Sequence, residues 1–149
     1  MKIENYMEIK FKAISINEGF ARAVVSSFAL QLNPSIEELN DIKTAVSEAV
    51  TNAVVHAYPK AKGDITIKCY ISCDVLYITI SDEGVGIIDV DKAKEPFFTT
   101  KPDQERSGLG FAVMENFMDD LDVVSKMGEG TSVSMCKKIK QEYQEAICE

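Results

Sequence analysis

The sequence predicts an α+β fold, a two-layer α/β sandwich in which a mixed, mostly antiparallel sheet is covered by helices on one face. The predicted strands occur in closely spaced pairs, which short turns join in antiparallel fashion. Three amphipathic helices accompany them. Each strand alternates apolar and polar residues, as expected of a sheet with one face open to solvent.

The first strand and the first helix are predicted near the N-terminus. Residues 7–14 alternate apolar and polar side chains, which is typical of a half-buried strand. Asn17 can cap a helix that runs to about Leu32 and ends before Asn33-Pro34. The predicted apolar stripe of this helix consists of Phe20, Val24, Phe28 and Leu32.

A capping box predicts the start of the second helix. Ser35 and Glu38 have the Ser-x-x-Glu spacing in which side chains and backbone N–H groups bond reciprocally. The helix is expected to extend to about Ala57, before Pro59. Its predicted core positions are Leu39, Ile42, Val46, Ala49, Val50 and Ala53.

The rest of the chain is predicted to form two hairpins separated by a loop and a helix. Strands at 64–73 and 75–81 are joined by a tight turn, and residues 82–106 are mostly loop. A helix is expected from Ser107 to about Asp120, with Leu109, Val113 and Phe117 facing inward. Strands at 121–126 and 131–138 close the fold, followed by a polar tail from Lys140.

Bulk properties indicate a single domain over residues 1–149 and argue against a nucleic-acid binder and a membrane-spanning protein. The net charge of −8 argues against a general nucleic-acid binder. No apolar run is long enough to span a membrane and no signal peptide is evident, so a cytoplasmic location is expected. Cys69 and Cys73 lack C-x-x-C spacing and continue a strand alternation, which predicts small core residues in a reducing compartment.

Polar residues recur every four positions on the second predicted helix. Glu48, Asn52 and His56 should project from neighbouring turns of one face, away from the apolar stripe. A carboxylate and an amide beside a cleft can bind magnesium through oxygen, or one can bind the metal while the other accepts a proton. The alternative is an ordinary solvated helix face.

Two glycine-containing loops add groups suited to a nucleotide. Asp82 follows a strand and can accept a hydrogen bond from an exocyclic amine, while Gly84 and Gly86 permit close backbone approach; an ordinary turn is the alternative. Residues 106–110 precede an amphipathic helix whose free N–H groups and positive dipole end suit phosphate. Residues 96–101 between the loops combine bulky anchors, hydroxyls and a lysine, which fits a closing lid or a surface loop with two buried phenylalanines.

These motifs occur in an order that resembles a known ATPase fold. Glu-x-x-x-Asn, Asp-x-Gly-x-Gly, Pro-Phe-Phe-Thr-Thr-Lys, a Gly-x-Gly helix start and Gly-x-Gly-Thr match the fold shared by gyrase, histidine kinases and mismatch-repair proteins over residues 35–137. The full chain, including segments 47–53 and 114–118, closely resembles the sporulation anti-sigma F factors, a family of serine-protein kinases of endospore-forming bacteria.

The resemblance implies specific roles for residues of this chain. Glu48 would be the base that polarises the attacking serine hydroxyl, Asn52 the magnesium ligand, and Asp82 the acceptor of the adenine amine. Arg22, on the first helix, would dock the sigma factor and the anti-anti-sigma protein, or it is a solvated surface charge. Further nucleotide contacts would come from Gly84, Gly86 and Thr131 near the base, Thr99, Thr100 and Lys101 in the lid, and Arg106, Ser107, Gly108, Leu109 and Gly110 at the phosphates.

The resemblance also implies an activity and partners. The chain would bind ATP and Mg²⁺, inhibit a sporulation sigma factor, phosphorylate an anti-anti-sigma protein on serine and form a homodimer near the N-terminal strand. Ala57 stands where relatives often have glycine, and only a small change in nucleotide fit is expected from its methyl group. Two alternatives remain: an ATP-gated binding module without useful catalysis, or the catalytic domain of a two-component histidine kinase.

Overall fold

A computed structural model describes residues 1–58, 63–87, 89–95 and 110–140. Within these residues, five strands form one sheet in the order β1-β2-β3-β5-β4, and every pairing is antiparallel. The predicted α+β class with a mostly antiparallel sheet is confirmed. The prediction also allowed parallel strands, but the described sheet contains no parallel pair. The strands are β1 (Asn5–Lys12), β2 (Asp64–Ser72), β3 (Val75–Asp82), β4 (Asp120–Lys126) and β5 (Gly130–Lys138).

The first helix begins where it was predicted, but only the second half of its predicted apolar stripe, Phe28 and Leu32, is buried. Its side-chain cap was predicted wrongly, because Asn17 Nδ2 donates to the Lys12 carbonyl 2.9 Å away and makes no cap bond. Phe20 is 50% exposed and lies edge-to-face on Phe11 of β1. In the first half of the helix the buried positions are Ala21 and Val25, each one residue after the predicted one, and these smaller side chains allow close packing on the next helix. Helix α1 spans Asn17–Ala29, continues as a 3₁₀ turn over Leu30–Leu32, and buries Ala21, Val25, Phe28, Ala29 and Leu32.

The second helix, α2 (Ile36–Asn52), has the predicted capping box and core stripe. The N–H of Glu38 donates to Ser35 Oγ, and the N–H of Ser35 donates to Glu38 Oε1. The helix then widens into a π turn over Ala53–Ala57. A π turn has more residues per turn than an α-helix, so His56 is displaced from the line through the earlier polar residues. The predicted four-residue recurrence therefore holds only as far as Asn52.

Among the described residues between β3 and β4, two shorter helices occur: α3 (Val90–Ala93) and α4 (Gly110–Phe117). The predicted start of the latter at Ser107 and its inward residue Leu109 lie outside the described residues. Phe117 is 38% exposed, so the prediction that it faces inward is wrong; Phe111, Met114 and Met118 are buried instead. The helix ends at Phe117, earlier than predicted, and the ammonium of Lys137 donates to the Phe117 carbonyl at 2.6 Å, which stabilises this helix end.

The helices cover one face of the sheet, and the core lies between the two layers. Alternate strand residues face the helices, including Ile65, Ile67, Leu76 and Ile78. The opposite face carries polar and aromatic residues, with the rings of Tyr70 and Tyr77 stacked at a centroid distance of 4.6 Å. No helix among the described residues is both long and apolar enough to cross a membrane.

Cys69 and Cys73 occupy different environments, one in the core and one in a turn. Cys69 is buried and free, as predicted. The prediction for Cys73 is wrong, because this residue occupies the β2–β3 turn with φ of 58° and is disulfide-bonded. A left-handed turn residue leaves the strand alternation, so the period-two pattern does not apply to its side chain.

Candidate functional site

The candidate site lies where the C-terminal end of α2 meets the start of α4 and the loop that follows β3. Glu48 and Asn52 are one helical turn apart on α2 and half-buried. The core residues Val46 and Val50 of the same helix are fully buried. The helix therefore directs its apolar stripe to the sheet while an acid and an amide stay accessible at its edge.

Asn52 is in close contact with Gly110, the first described residue of α4. A Cβ placed on Gly110 would lie 2.9 Å from Asn52 Nδ2 and 3.0 Å from Asn52 Oδ1. Glycine is therefore needed for the amide to rest against the backbone at this helix start. This contact brings the polar edge of α2 to the start of α4.

The carboxylate of Asp82 is held by backbone amides at the end of β3. Its Oδ1 accepts the N–H of Gly84 at 2.9 Å and the N–H of Thr131 at 3.3 Å. Burial raises the pKa of Asp82, and the hydrogen bonds from Gly84 and Thr131 partly oppose this. Within the described part of the chain, no group donates to Oδ2. This oxygen is thus suited to accept a hydrogen bond from a ligand.

The loop after Asp82 packs directly on the π turn at the end of α2. The N–H of Val85 donates to the carbonyl of Ala57 at 2.8 Å. A Cβ on Gly84 would lie 2.1 Å from that carbonyl oxygen and 2.6 Å from Ala57 Cβ. Gly84 thus allows the loop backbone to approach the protein's own helix end. Its predicted close approach to a ligand stays a prediction.

Gly86 and Gly130 allow the loop to meet the β4–β5 hairpin. Gly86 has φ of 81°, and a Cβ there would lie 2.4 Å from the carbonyl oxygen of Lys126. Gly130 has φ of 106°, and a Cβ there would lie 2.1 Å from the carbonyl oxygen of Asp82. Both positions require glycine for its positive φ and for space. The hairpin thereby brings Thr131 next to Asp82.

Sequence reasoning missed two hydroxyl groups that hold this loop. Tyr58 Oη accepts the N–H of Glu83 at 2.8 Å, and Ser125 Oγ accepts the N–H of Ile87 at 2.7 Å. Ser125 Oγ also lies 2.8 Å from Thr131 Oγ1. Neither residue belongs to a local motif, since each bonds to a loop far away in sequence. The only sequence feature that pointed to either residue was the position of Tyr58 directly after Ala57, in a segment already linked to the nucleotide site.

The structure describes some of the predicted site residues and not others. Asn52 and Gly110 lie together, as do Asp82, Gly84, Gly86 and Thr131. Glu48 lies one turn from Asn52. The lid residues Thr99, Thr100 and Lys101 and the phosphate-loop residues Arg106, Ser107, Gly108 and Leu109 lie outside the described residues.

The donor set fits a magnesium ion that is held mainly by a bound nucleotide. No group of three or more His, Cys, Asp or Glu side chains able to hold a metal occurs among the described residues. Magnesium commonly takes one or two protein oxygens together with substrate phosphates and water. Asn52 Oδ1, placed against the α4 start, matches this requirement, and so does the nearby carboxylate of Glu48.

Arg22 lies apart from the nucleotide residues, on the exposed side of α1. Its Nη1 lies 3.3 Å from Ser47 Oγ and 3.7 Å from Glu18 Oε1. Ser47 directly precedes Glu48 on α2. The guanidinium group of Arg22 therefore contacts α2, the helix that carries Glu48, and remains partly exposed to solvent.

Comparison with known proteins agrees with this geometry. The family model described as histidine kinase-like ATPase domain matches residues 15–137. The anti-sigma F factor of Caldanaerobacter subterraneus is 55% identical over 93% of this chain and 97% of its own length. Those of Clostridium acetobutylicum and Bacillus subtilis are 53% and 47% identical, over 91% and 98% of this chain and 95% and 99% of their own lengths.

A solved structure shows the same fold. The crystal structure of the RsbU and RsbW domains of a Mycobacterium tuberculosis protein matches with a TM-score of 0.68 and 19% identity. The match covers 92% of this chain and 33% of that one, so this chain corresponds to about a third of the solved polypeptide.

Proposed function

This chain belongs to the anti-sigma F factor family and carries its histidine kinase-like ATPase domain, and we propose that it is an Mg-ATP-dependent serine kinase that also binds and inhibits a sporulation sigma factor. The kinase substrate in this proposal is a serine of an anti-anti-sigma protein. The contact between Asn52 and Gly110 carries the proposal, because it joins the acid–amide face of α2 to the glycine loop suited to phosphate.

The proposed base-binding end consists of Asp82 and its neighbours. Asp82 Oδ2 would accept a hydrogen bond from the exocyclic amine of adenine. The backbone N–H groups of Gly84 and Thr131 hold the carboxylate through Oδ1. Gly86 and Thr131 would lie beside the base. Because Asp82 is withdrawn from water, a hydrogen bond to it discriminates strongly against a base without a donor at that position.

The proposed phosphate end consists of the α2 edge and the second glycine loop. Asn52 would hold Mg²⁺, which when bound neutralises phosphate charge. Glu48 would accept the proton of the attacking serine hydroxyl from its position one turn away. Phosphoryl transfer depends chiefly on positioning and charge neutralisation, so a rigid helix edge is a suitable platform. The proposed lid and phosphate ligands complete the site. The lid residues are Thr99, Thr100 and Lys101, and the phosphate ligands are Arg106, Ser107, Gly108 and Leu109.

Partner binding and assembly form a separate part of the proposal. Arg22 would dock the sigma factor and the anti-anti-sigma protein, supported by its exposed position on α1. The homodimer would involve β1, which is an edge strand of the sheet that the described residues form and pairs there only with β2. A monomeric mass by light scattering at micromolar concentration would contradict the dimer. A cytoplasmic location belongs to the same proposal.

The decisive experiment mixes the protein with γ-labelled ATP, magnesium and the anti-anti-sigma protein from the same organism. We expect acid-stable label on the partner and its loss in Glu48→Gln, with ATP binding retained. Glu37→Gln, which alters an exposed acid in the first turn of the same helix, is the matched control and should transfer label normally. Acid-labile label would favour a histidine kinase, and ATP binding without transfer would leave an ATP-gated binding module.

A further inference from the structure

We propose that Tyr58 is a positioning residue for the nucleotide base: its hydroxyl group fixes the loop that carries Asp82 relative to the helix that carries Asn52. The inference rests on the proposed nucleotide-binding function and extends it to a residue with no assigned role. Tyr58 acts through the loop backbone and need not touch the nucleotide itself.

The hydroxyl group of Tyr58 joins two separate segments of the chain. Its oxygen accepts the N–H of Glu83, the residue directly after Asp82, at 2.8 Å. Its proton is donated to the carbonyl of Asp64, at the start of β2, also at 2.8 Å. The ring is held against Gly63, where a Cβ would lie 2.1 Å from the ring Cζ. The phenol therefore has a fixed position from which to hold the loop.

The chemistry of the phenol suits this double role. A tyrosine hydroxyl has one proton and can also accept, so donation to Asp64 leaves lone pairs for the N–H of Glu83. Burial raises the pKa of Tyr58, and the carboxylates of Asp82, Glu83 and Asp64 add to the effect, while the Glu83 N–H opposes it. The phenol thus keeps its proton at neutral pH.

Tyr58 and Ala57 together connect the two ends of the proposed nucleotide site. Ala57 accepts the N–H of Val85, so consecutive residues of the helix end hold alternate amides of the loop. Both follow Asn52 through a single π turn. A nucleotide has a limited range of lengths from base amine to metal-bound phosphate. When Asp82 and Asn52 are held at a set separation before the nucleotide binds, the loop loses less conformational entropy on binding.

The test measures binding of ATP and of magnesium tripolyphosphate, which lacks the base, to Tyr58→Phe. We expect ATP affinity to fall about tenfold, since the hydrogen bond that holds the Glu83 amide beside Asp82 is lost, and tripolyphosphate affinity to change by less than about twofold. Tyr77→Phe is the matched control, because its hydroxyl has no hydrogen-bond partner among the described residues; it should bind both ligands normally. Equal losses for both ligands in Tyr58→Phe would overturn the inference.

A double-mutant cycle tests whether Tyr58 acts through Asp82. If it does, Asp82→Asn combined with Tyr58→Phe should bind ATP no more weakly than Asp82→Asn alone. Fully additive losses would contradict this. Should Tyr58→Phe fail to fold, hydrogen exchange on the unmodified protein decides: the Glu83 amide should be protected, and rapid exchange would overturn the inference.

Failure of this inference can be distinguished from failure of the proposed function. An unmodified protein that binds no ATP would refute the nucleotide site and this inference with it. An unmodified protein that binds ATP, loses affinity in Asp82→Asn and keeps it in Tyr58→Phe would refute only the role of Tyr58.

Discussion

Gly84 lies against the carbonyl of Ala57 so closely that a Cβ would stand 2.1 Å from the oxygen and 2.6 Å from Ala57 Cβ. The methyl group of Ala57 thus fits only because its neighbour has none. The loop after β3 and the end of α2 behave as one packed unit.

Gly84→Ala should therefore damage both stability and ATP binding. The added methyl meets backbone, which cannot turn away as a flexible side chain can, so the loop must shift. We expect a loss of about 1–3 kcal/mol in the free energy of unfolding, measured by urea titration, and weaker ATP binding by calorimetry.

Gly19→Ala provides the control for this substitution. Gly19 lies in α1, and among the described residues a Cβ there would have only Arg22 Nη2 within 4 Å, at 3.9 Å. Alanine should be neutral or stabilising by up to about 1 kcal/mol, because it favours the helix. A Gly84→Ala protein as stable as Gly19→Ala would show that the loop does not need this contact.

Gly110→Ala should separate function from stability. The new methyl would press on the terminal amide of Asn52, which can rotate away, so folding should survive. The displaced amide would no longer face the α4 start, and Mg-ATP binding should fall about tenfold or more. Calorimetry with and without magnesium measures this loss, and unchanged Mg-ATP affinity would argue against Asn52 as the metal ligand.

The raised pKa of Asp82 predicts a pH-dependent stability difference from Asp82→Asn. Since burial raises the pKa above the ordinary 3.8, the ionised carboxylate reduces folded-state stability at pH 7. As pH falls, the Asp82 carboxylate takes up a proton in the folded protein before it does so in the unfolded chain. The loss of stability from the ionised carboxylate therefore disappears in the pH range just above 3.8. Asparagine is neutral throughout and can still accept from Gly84 and Thr131.

Asp82→Asn should thus be at least as stable as the unmodified protein at pH 7, with the difference shrinking in acid. Urea unfolding of both proteins over a pH series tests this. ATP binding should fall about tenfold or more at pH 7, because the new NH₂ group can face the adenine amine donor to donor. A variant that is less stable at neutral pH would contradict the assigned cause of the shift.

Lys137→Met should destabilise the contact between α2, α4 and β5. Lys137 is 8% exposed, and its ammonium lies 3.3 Å from Asp41 Oδ2 and 2.6 Å from the Phe117 carbonyl. Methionine keeps the packing but leaves both acceptors unpaired, so we expect a loss of about 1–3 kcal/mol. Lys126→Met is the control, since Lys126 and its partner Glu129 are mostly exposed and should contribute below about 1 kcal/mol. Equal urea midpoints for the two variants would refute the prediction.

Local patterns predicted most of the elements correctly. The capping box at Ser35 and the turns of both hairpins depend on residues a few positions apart, so the sequence expresses them directly. The stripe on α1 was misjudged because hydrophobicity ranks Phe20 above Ala21. Packing against α2 instead favoured the small side chain, which allows the two helices to approach.

The candidate site was predicted in composition but not in its internal contacts. Asp82, Asn52 and the glycines belong to recognisable motifs. Tyr58 and Ser125 do not, and they became apparent only through hydrogen bonds to Glu83 and Ile87, 25 and 38 positions away. Sequence periodicity carries no information about such distant pairings.

The sequence by itself determined the secondary structure, the antiparallel hairpins and the residue types available for chemistry, because these depend on local backbone preferences and side-chain periodicity. The tertiary structure decided which glycine meets which carbonyl, how the polar edge of α2 meets Gly110, and which hydroxyl holds the Asp82 loop. Those outcomes depend on close packing between segments far apart in the chain, where a shift of one methyl group changes which contact can form.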